Sequence, residues 1–422
     1  MLPPVNKTTL RNGIRVLTKS MPHVRSVSMG VWVNVGARDE APTESGLSHL
    51  IEHMIFKGTS KRSAYQIAKE FDAIGGQTNA FTTMENTCYH ARVMDTHMDT
   101  MVEILSDILL NSVFDEKEIA RELPVVLQEI GMVEDSPDEY IHLLLSQNFW
   151  GDHPLGRSIL GSRENIMRFN ADMLKLFFQR FYQPEQIVIA AAGNLEHEHL
   201  IDLVGPLFET IKPGNGFPRR VPPAANSHFA ATYRDLEQTH ICLGTNGLSI
   251  TDPRRFAFSL MNTILGGNMS SRLFQEIREY RGLAYSVYSF ISSHFDTGLF
   301  GAYAAVDPKS APETTRLMLK AFNTLQTTPV DALELQGAKE YTKGNLLLAA
   351  ESSDNQMVRL AQNEIHFNEY IPLQTVVDRI DAVTADDIQA LAVELFKDHK
   401  LALTLLGPIS NTDSYEAMLS RN

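Results

Sequence analysis

The chain has 422 residues, 43% hydrophobic and 21% charged, a soluble globular composition spread over too many residues for one ordinary core. A formal charge of −14 argues against a nucleic-acid partner, since phosphate binders carry a basic face, and is compatible with basic or neutral peptides. No run of about 18 apolar residues occurs, so no membrane-spanning helix is expected.

Cys88 and Cys242 stand alone in apolar, strand-like stretches and read as small buried hydrophobes rather than ligands or a disulfide pair. Their scarcity fits a reducing compartment. Residues 1–10 have no basic region followed by an apolar one, and are too short and Arg-poor for a transit peptide. The expectation is a bacterial cytoplasmic protein, the alternative a mature organellar protein already stripped of its presequence.

In chain order, Val5 to Ser20 is expected to form a hairpin around Asn12-Gly13. Val27 to Val35 alternates as a strand, and Gly36 to Ser45 is turn-rich. Gly46 to Thr59 holds the sequence Gly-Leu-Ser-His-Leu-Ile-Glu-His-Met-Ile-Phe-Lys-Gly-Thr and reads as a helix. A second amphipathic helix, Tyr65 to Ile74, is stopped by Gly75-Gly76, and Gln77 to Met94 gives two strands. Met98 to Asn111 is helical. A further helix starts in the acidic stretch Phe114 to Ile119 and runs through Glu122 and Glu129, with Pro124 either early in it or kinking it.

The second half repeats this order: a strand at Thr239–Asn246, helices at Arg254–Leu265 and Ser271–Tyr280, and paired strands over Ala284–Val306. Ala68–Phe81 and Phe274–Val287 occupy matching slots. Two copies of a unit, only one with a His-x-x-Glu-His sequence, indicate a tandem duplication with one active half. The expected architecture is α+β, two similar domains, each a mainly antiparallel sheet covered by helices. The boundaries expected are 1–211 for the first half, 212–226 for a Pro/Gly-rich linker and 227–422 for the second.

The chemistry is concentrated in His49-Leu-Ile-Glu52-His53. On a helix, residues four apart share a face, so both imidazoles can bind one Zn²⁺. Glu52 lies on the neighbouring stripe, able to reach an activated water without binding the metal. A third ligand must come from elsewhere, and Glu129 is the best candidate. Glu122 and Glu129 are seven positions apart and return to within roughly 20° on a helix, one as ligand and one behind it. His-x-x-Glu-His reverses the His-Glu-x-x-His order of a well-known zinc-peptidase signature. His197 and His199 lie in a stretch that reads as a helix start rather than a metal cluster.

Together with Gly75-Gly-Gln-Thr-Asn-Ala-Phe-Thr82, Gly266-Gly-Asn-Met-Ser-Ser-Arg-Leu-Phe274 and Arg281-Gly-Leu-Ala-Tyr285, this sequence resembles the M16, pitrilysin-type, metallopeptidases. The likeness is greatest to the branch holding processing-peptidase β subunits and their short bacterial relatives. The family places its third zinc ligand 76 positions after the second histidine, which is Glu129 here. The resemblance implies a zinc endopeptidase with one Zn²⁺ per chain on His49, His53 and Glu129, and Glu52 as general base and then acid. It implies that Asn79 and Ala80, in a substrate strand that includes Phe81, contact the peptide backbone, and that Phe56 lines the pocket after the cleaved bond. Arg278 and Tyr285 match a pair that reaches the scissile bond, where a guanidinium and a phenol can stabilise an oxyanion. In short members the facing half comes from another subunit, so a homodimer enclosing a chamber is expected. Processing peptidases read an Arg with two acidic residues on the helix after the third ligand. Here those positions hold Glu139 and Leu143, so oligopeptides and unfolded segments stand beside presequence-like peptides as expected substrates. The competing reading is a non-catalytic or assembly subunit of a hetero-oligomeric complex.

Overall fold

A computed structural model describes residues 5–214, 216–397, 400–409 and 412–419. Strands β1 (Val5–Thr9), β2 (Arg15–Ser20) and β3 (Ser26–Val33) precede helices α1 (Leu47–Ile55) and α2 (Ala64–Ala73). The hairpin of β4 (Gln77–Thr82) and β5 (Thr87–Met94) leads to α3 (Met98–Leu110), α4 (Glu116–Asp135) and α5 (Pro137–Trp150). Next come α6 (Arg163–Ile166), α7 (Ala171–Phe181), β6 (Ile187–Gly193) and α8 (His197–Phe208). The second half opens with β7 (Phe229–Tyr233), β8 (Thr239–Asn246) and α9 (Arg255–Gly266). After a π-helical segment at Phe274–Tyr280 come β9 (Ala284–Ser293), β10 (Gly298–Val306), α10 (Ala311–Thr327) and α11 (Ala332–Ala349). The chain then forms α12 (Ser353–Phe367), α13 (Leu373–Ala382), α14 (Ala385–Leu395), β11 (Ala402–Gly407) and α15 (Asp413–Leu419).

The duplication is visible in the sheets. One has the order β1-β2-β6-β3-β5-β4, the other β7-β11-β8-β10-β9. Within the first, β2 and β6 are parallel and every other pair is antiparallel. Within the second, β7 and β11 are parallel and the rest antiparallel. Leaving out β1, the two patterns are the same, so each sheet is mainly antiparallel as expected. The Asn12-Gly13 hairpin forms with Gly13 at φ 101°, where a Cβ would be strained. The helix expected over Ser271–Tyr280 forms, but its body winds as a π-helix.

The compact units are not the two continuous halves 1–211 and 227–422. One consists of Met1–Gly131, Arg157–Arg220 and Leu348–Tyr370, the other of Met132–Gly156, Val221–Leu347 and Ile371–Asn422. Each half therefore lends a helix to the other half's sheet. In the first unit, α12 lays Met357, Leu360 and Ala361 against Leu17, Trp32, Cys88 and Val188. Gly30 makes room for it, since a Cβ there would lie 2.7 Å from the Met357 sulfur. In the second unit α5 packs on β8 and β11, and Gly244 of β8 leaves space for Leu145. Periodicity shows which face of such a helix is apolar, but not which sheet receives it.

The described linker residues run without regular structure, yet Arg220 is fastened within the first unit. Its guanidinium donates to Asp39 at 2.7 and 2.8 Å and to the backbone oxygens of Asn34 and Glu85. Both cysteines are free and buried. Among the described residues no helix is long and apolar enough to cross a membrane.

Candidate metal centre

Helix α1 is built with two complementary stripes. Leu47, Leu50, Ile51, Met54 and Ile55 are buried in the core of the first unit, following helical spacing. His49, Glu52, His53 and Phe56 keep the same spacing on the other side and are only partly buried. Gly46 starts the helix at φ 104°, and a Cβ there would lie 2.8 Å from Ile166 and 2.9 Å from the Leu160 carbonyl. Glu40, whose role was not read from the sequence, caps the same end. Its carboxyl accepts hydrogen bonds from the N–H groups of Gly46 at 2.8 Å and Ser48 at 2.7 Å. The only prior signal was an acidic residue just ahead of a helix start.

Helix α4 brings the carboxylates. Its buried stripe is Ile119, Glu122, Val126 and Ile130, and Glu129 stands beside it, half-buried. Pro124 lies well inside this helix rather than in its first turn. The two histidine Nε2 atoms are 3.3 Å apart, and Glu129 Oε2 lies 3.6 Å from that of His49 and 3.5 Å from that of His53. Zinc with ligands at about 2.0–2.1 Å in tetrahedral array separates neighbouring donors by about 3.3 Å. The three donors present fit that cation. Among the described residues no other trio of His, Cys, Asp or Glu converges in this way.

Charge and hydrogen bonding prepare the donors. Burial, and after it the neighbouring His53, push His49 down to about 4, leaving its ring neutral and able to ligate at pH 7. His53 Nδ1 lies 2.9 Å from Glu122 Oε1, and Lys57 Nζ donates to Glu122 Oε2 at 2.6 Å. Burial works to raise the Glu122 carboxyl, but hydrogen bonds from Lys57 and His53 outweigh it and hold it low, hence ionised. An ionised Glu122 places the ring proton of His53 on Nδ1 and points the Nε2 lone pair at His49 and Glu129. Glu122 thus touches the trio through His53. Burial raises the Glu52 carboxyl, with Glu129 adding to it and hydrogen bonds from Thr82 and the neighbouring His53 opposing.

Strand β4 is an edge strand that contacts α1. Gln77, Thr78 and Asn79 are exposed there, and the Asn79 side chain accepts from the Ala80 N–H at 2.9 Å. Phe81 turns its ring edge-on to Trp32, with centroids 5.3 Å apart. Phe56 packs at the core margin, 6.5 Å from the Tyr89 ring.

Two expected groups belong to the second unit. Arg278, on the π-helical segment, donates to the Tyr285 carbonyl at 3.0 Å and stacks on the Tyr285 ring at 4.6 Å. Tyr285 itself is 80% exposed. Glu139 sits exposed in the first turn of α5, with Leu143 one turn further on. His197 and His199 form no cluster: the former lies between the Thr8 and Thr18 hydroxyls, each at 2.8 Å, and the latter pairs with Asp99.

Comparison with known proteins identifies the family. Residues 15–163 match a family model described as insulinase (peptidase family M16), and residues 168–341 match one described as the peptidase M16 inactive domain. An uncharacterized zinc protease of Bacillus subtilis, YmxG, is 38% identical over 410 residues, covering 97% of this chain and all of that protein. One from Streptomyces coelicolor is also 38% identical, over 96% of this chain and 90% of its own. Among solved structures, a protease from Helicobacter pylori superposes with a TM-score of 0.89 at 22% identity, covering 96% of this chain and all of that one. A peptidase M16 inactive domain from Pseudomonas fluorescens does so at 0.91 and 20%, covering 97% and 99%. These two likenesses speak for the fold alone.

Proposed function

The chain belongs to peptidase family M16, and on that premise we propose that it is a zinc-dependent endopeptidase. The observation that carries this reading is the convergence of His49, His53 and Glu129, whose donor atoms lie within 4.8 Å of one another, beside the raised carboxyl of Glu52. Zinc held there, one per chain, would activate a water molecule and polarise the carbonyl of the bond to be cut. Glu52 takes a proton from the attacking water and hands it to the leaving amine. Glu122, secured by Lys57, keeps His53 in the ligating tautomer.

The free edge of β4 receives an extended peptide through main-chain hydrogen bonds, with Asn79 and Ala80 along its backbone and Phe81 in the same strand. Phe56 lines the pocket after the scissile bond, and Glu139 favours a basic side chain nearby. Arg278 and Tyr285 form a cation–phenol pair suited to an oxyanion. In a homodimer enclosing a chamber they complete the site of the second copy. Substrates on this reading are oligopeptides and unfolded or presequence-like segments, and the compartment is the bacterial cytoplasm.

The test is metal content and cleavage of a quenched peptide by the chain expressed alone, with and without chelator, alongside its size in solution. Stoichiometric zinc and chelator-sensitive cleavage by a dimer are expected. A zinc-loaded chain that cleaves only when a different subunit is added would support the assembly-subunit reading instead.

A further inference from the structure

Strand β4 has β5 as its one ladder partner among the described residues, and its residues 77–79 are exposed. A strand with so few contacts owes its order largely to whatever fixes its ends. At its far end the chain turns over residues 83–86, where the Thr83 N–H donates to the Asn86 carbonyl at 2.7 Å. That turn rests on the segment ahead of α1. The N–H groups of Ala37 and Arg38 donate to the Thr83 and Met84 carbonyls at 3.2 and 2.8 Å. Gly36 permits the approach, since a Cβ there would lie 2.3 Å from the Thr83 oxygen.

Two guanidiniums and two carboxylates close over the turn, none of these side chains more than 12% exposed. Arg38 Nη1 donates to Glu85 Oε1 at 2.6 Å. Arg220 arrives from the linker and joins three pieces of chain. Its Nε and Nη2 donate to the two Asp39 oxygens, its Nη1 and Nη2 reach the side-chain and backbone oxygens of Asn34 at 3.3 and 3.2 Å, and Nη2 also donates to the Glu85 carbonyl at 2.8 Å. Phe217 guides this approach, its ring edge-on to Phe181 at 5.7 Å and the guanidinium 5.6 Å above it. A planar group with five N–H donors can serve these acceptors together, whereas a lysine ammonium offers three donors from one point. Arg220 is also the last residue of the first unit before the chain leaves it.

We propose that Arg220 is a positioning residue for peptide binding: by fastening the 83–86 turn to the segment ahead of α1, it holds β4 extended along the edge that receives the substrate. The inference rests on the preceding reading in taking β4 as the peptide-binding edge. With the turn released, β4 spends part of its time frayed, and an incoming peptide must order it. Apparent affinity then falls by the fraction of molecules that have the strand in place. The loss therefore shows in KM. A residue that merely keeps the unit folded would instead reduce the number of active molecules, lowering kcat at unchanged KM.

Two variants of the full chain test this. Arg220→Lys keeps the charge and loses the fork, while Arg220→Met combined with Asp39→Asn removes both members of the pair and leaves no buried charge stranded by the change. In each, hydrogen–deuterium exchange over residues 77–86 is expected to quicken at least about tenfold, with exchange over residues 47–55 and zinc content unchanged. The KM for a quenched extended peptide should rise at least about threefold while kcat stays within about twofold. Exchange over 77–86 within about twofold of the parent in both variants, or a fall in kcat at unchanged KM, would overturn the role of Arg220. A parent chain that binds zinc and cleaves nothing would count against the endopeptidase reading, and the exchange result alone would then decide whether Arg220 holds β4.

Discussion

Replacing Glu122 with Gln tests how far the metal centre depends on a residue that does not bind the metal. In the structure its carboxylate is 8% exposed and bridges His53 Nδ1 at 2.9 Å and Lys57 Nζ at 2.6 Å. A neutral amide can still accept one hydrogen bond, but it loses the charge that fixes the His53 tautomer and leaves Lys57 without its counter-ion. Partners of ligating histidines are worth about 10–100-fold in metal affinity, or about 1.4–2.7 kcal/mol. Glu122→Gln is therefore expected to weaken zinc binding by that factor in a competition titration against a chromophoric chelator, with far-UV circular dichroism unchanged. Lys57→Met, which spares the Glu122–His53 contact, should cost less. Affinity of Glu122→Gln within about twofold of the parent would refute the argument that this carboxylate prepares His53. Turnover lost at unchanged affinity would place Glu122 among the reacting groups instead.

Glu52→Gln should retain zinc and lose about 10²–10⁴-fold in kcat, the usual contribution of a general base, and activity within tenfold of the parent would rule out that role. Gly46→Ala forces a side chain into φ 104° and against Ile166 and the Leu160 carbonyl, so urea unfolding should show a loss of roughly 1–3 kcal/mol. In the second unit burial lowers both His142 and His240, with Asp138 pulling the other way. As pH falls through about 6.5 the unfolded chain takes up protons that these rings refuse in the folded state, so stability is lost on the acid side. His142→Gln, which ends the 2.8 Å contact with the Tyr288 hydroxyl, should shrink the difference between urea midpoints at pH 5 and pH 7; an unchanged difference would discount His142.

What was legible in the chain was what local geometry decides. His49 and His53 meet because four residues make about one helical turn, and Glu122 and Glu129 share a side of α4 for the same reason. Strand alternation and Gly-rich turns gave the hairpins, and the repeated order of elements announced two similar sheets. The role of Glu40 escaped, because a capping carboxylate is identified by the helix end it meets and not by its neighbours in sequence.

Tertiary packing decided the rest. Whether Glu129 reaches the two rings depends on how α4 lies against α1, with 75 residues and several elements between the second histidine and the carboxylate. The exchange of α5 and α12 between sheets was equally hidden, since an apolar face fits any complementary surface and only the space above Gly30 and Gly244 selects one. Local rules act through covalent spacing of a few residues, and they fall silent where the partner is chosen by shape.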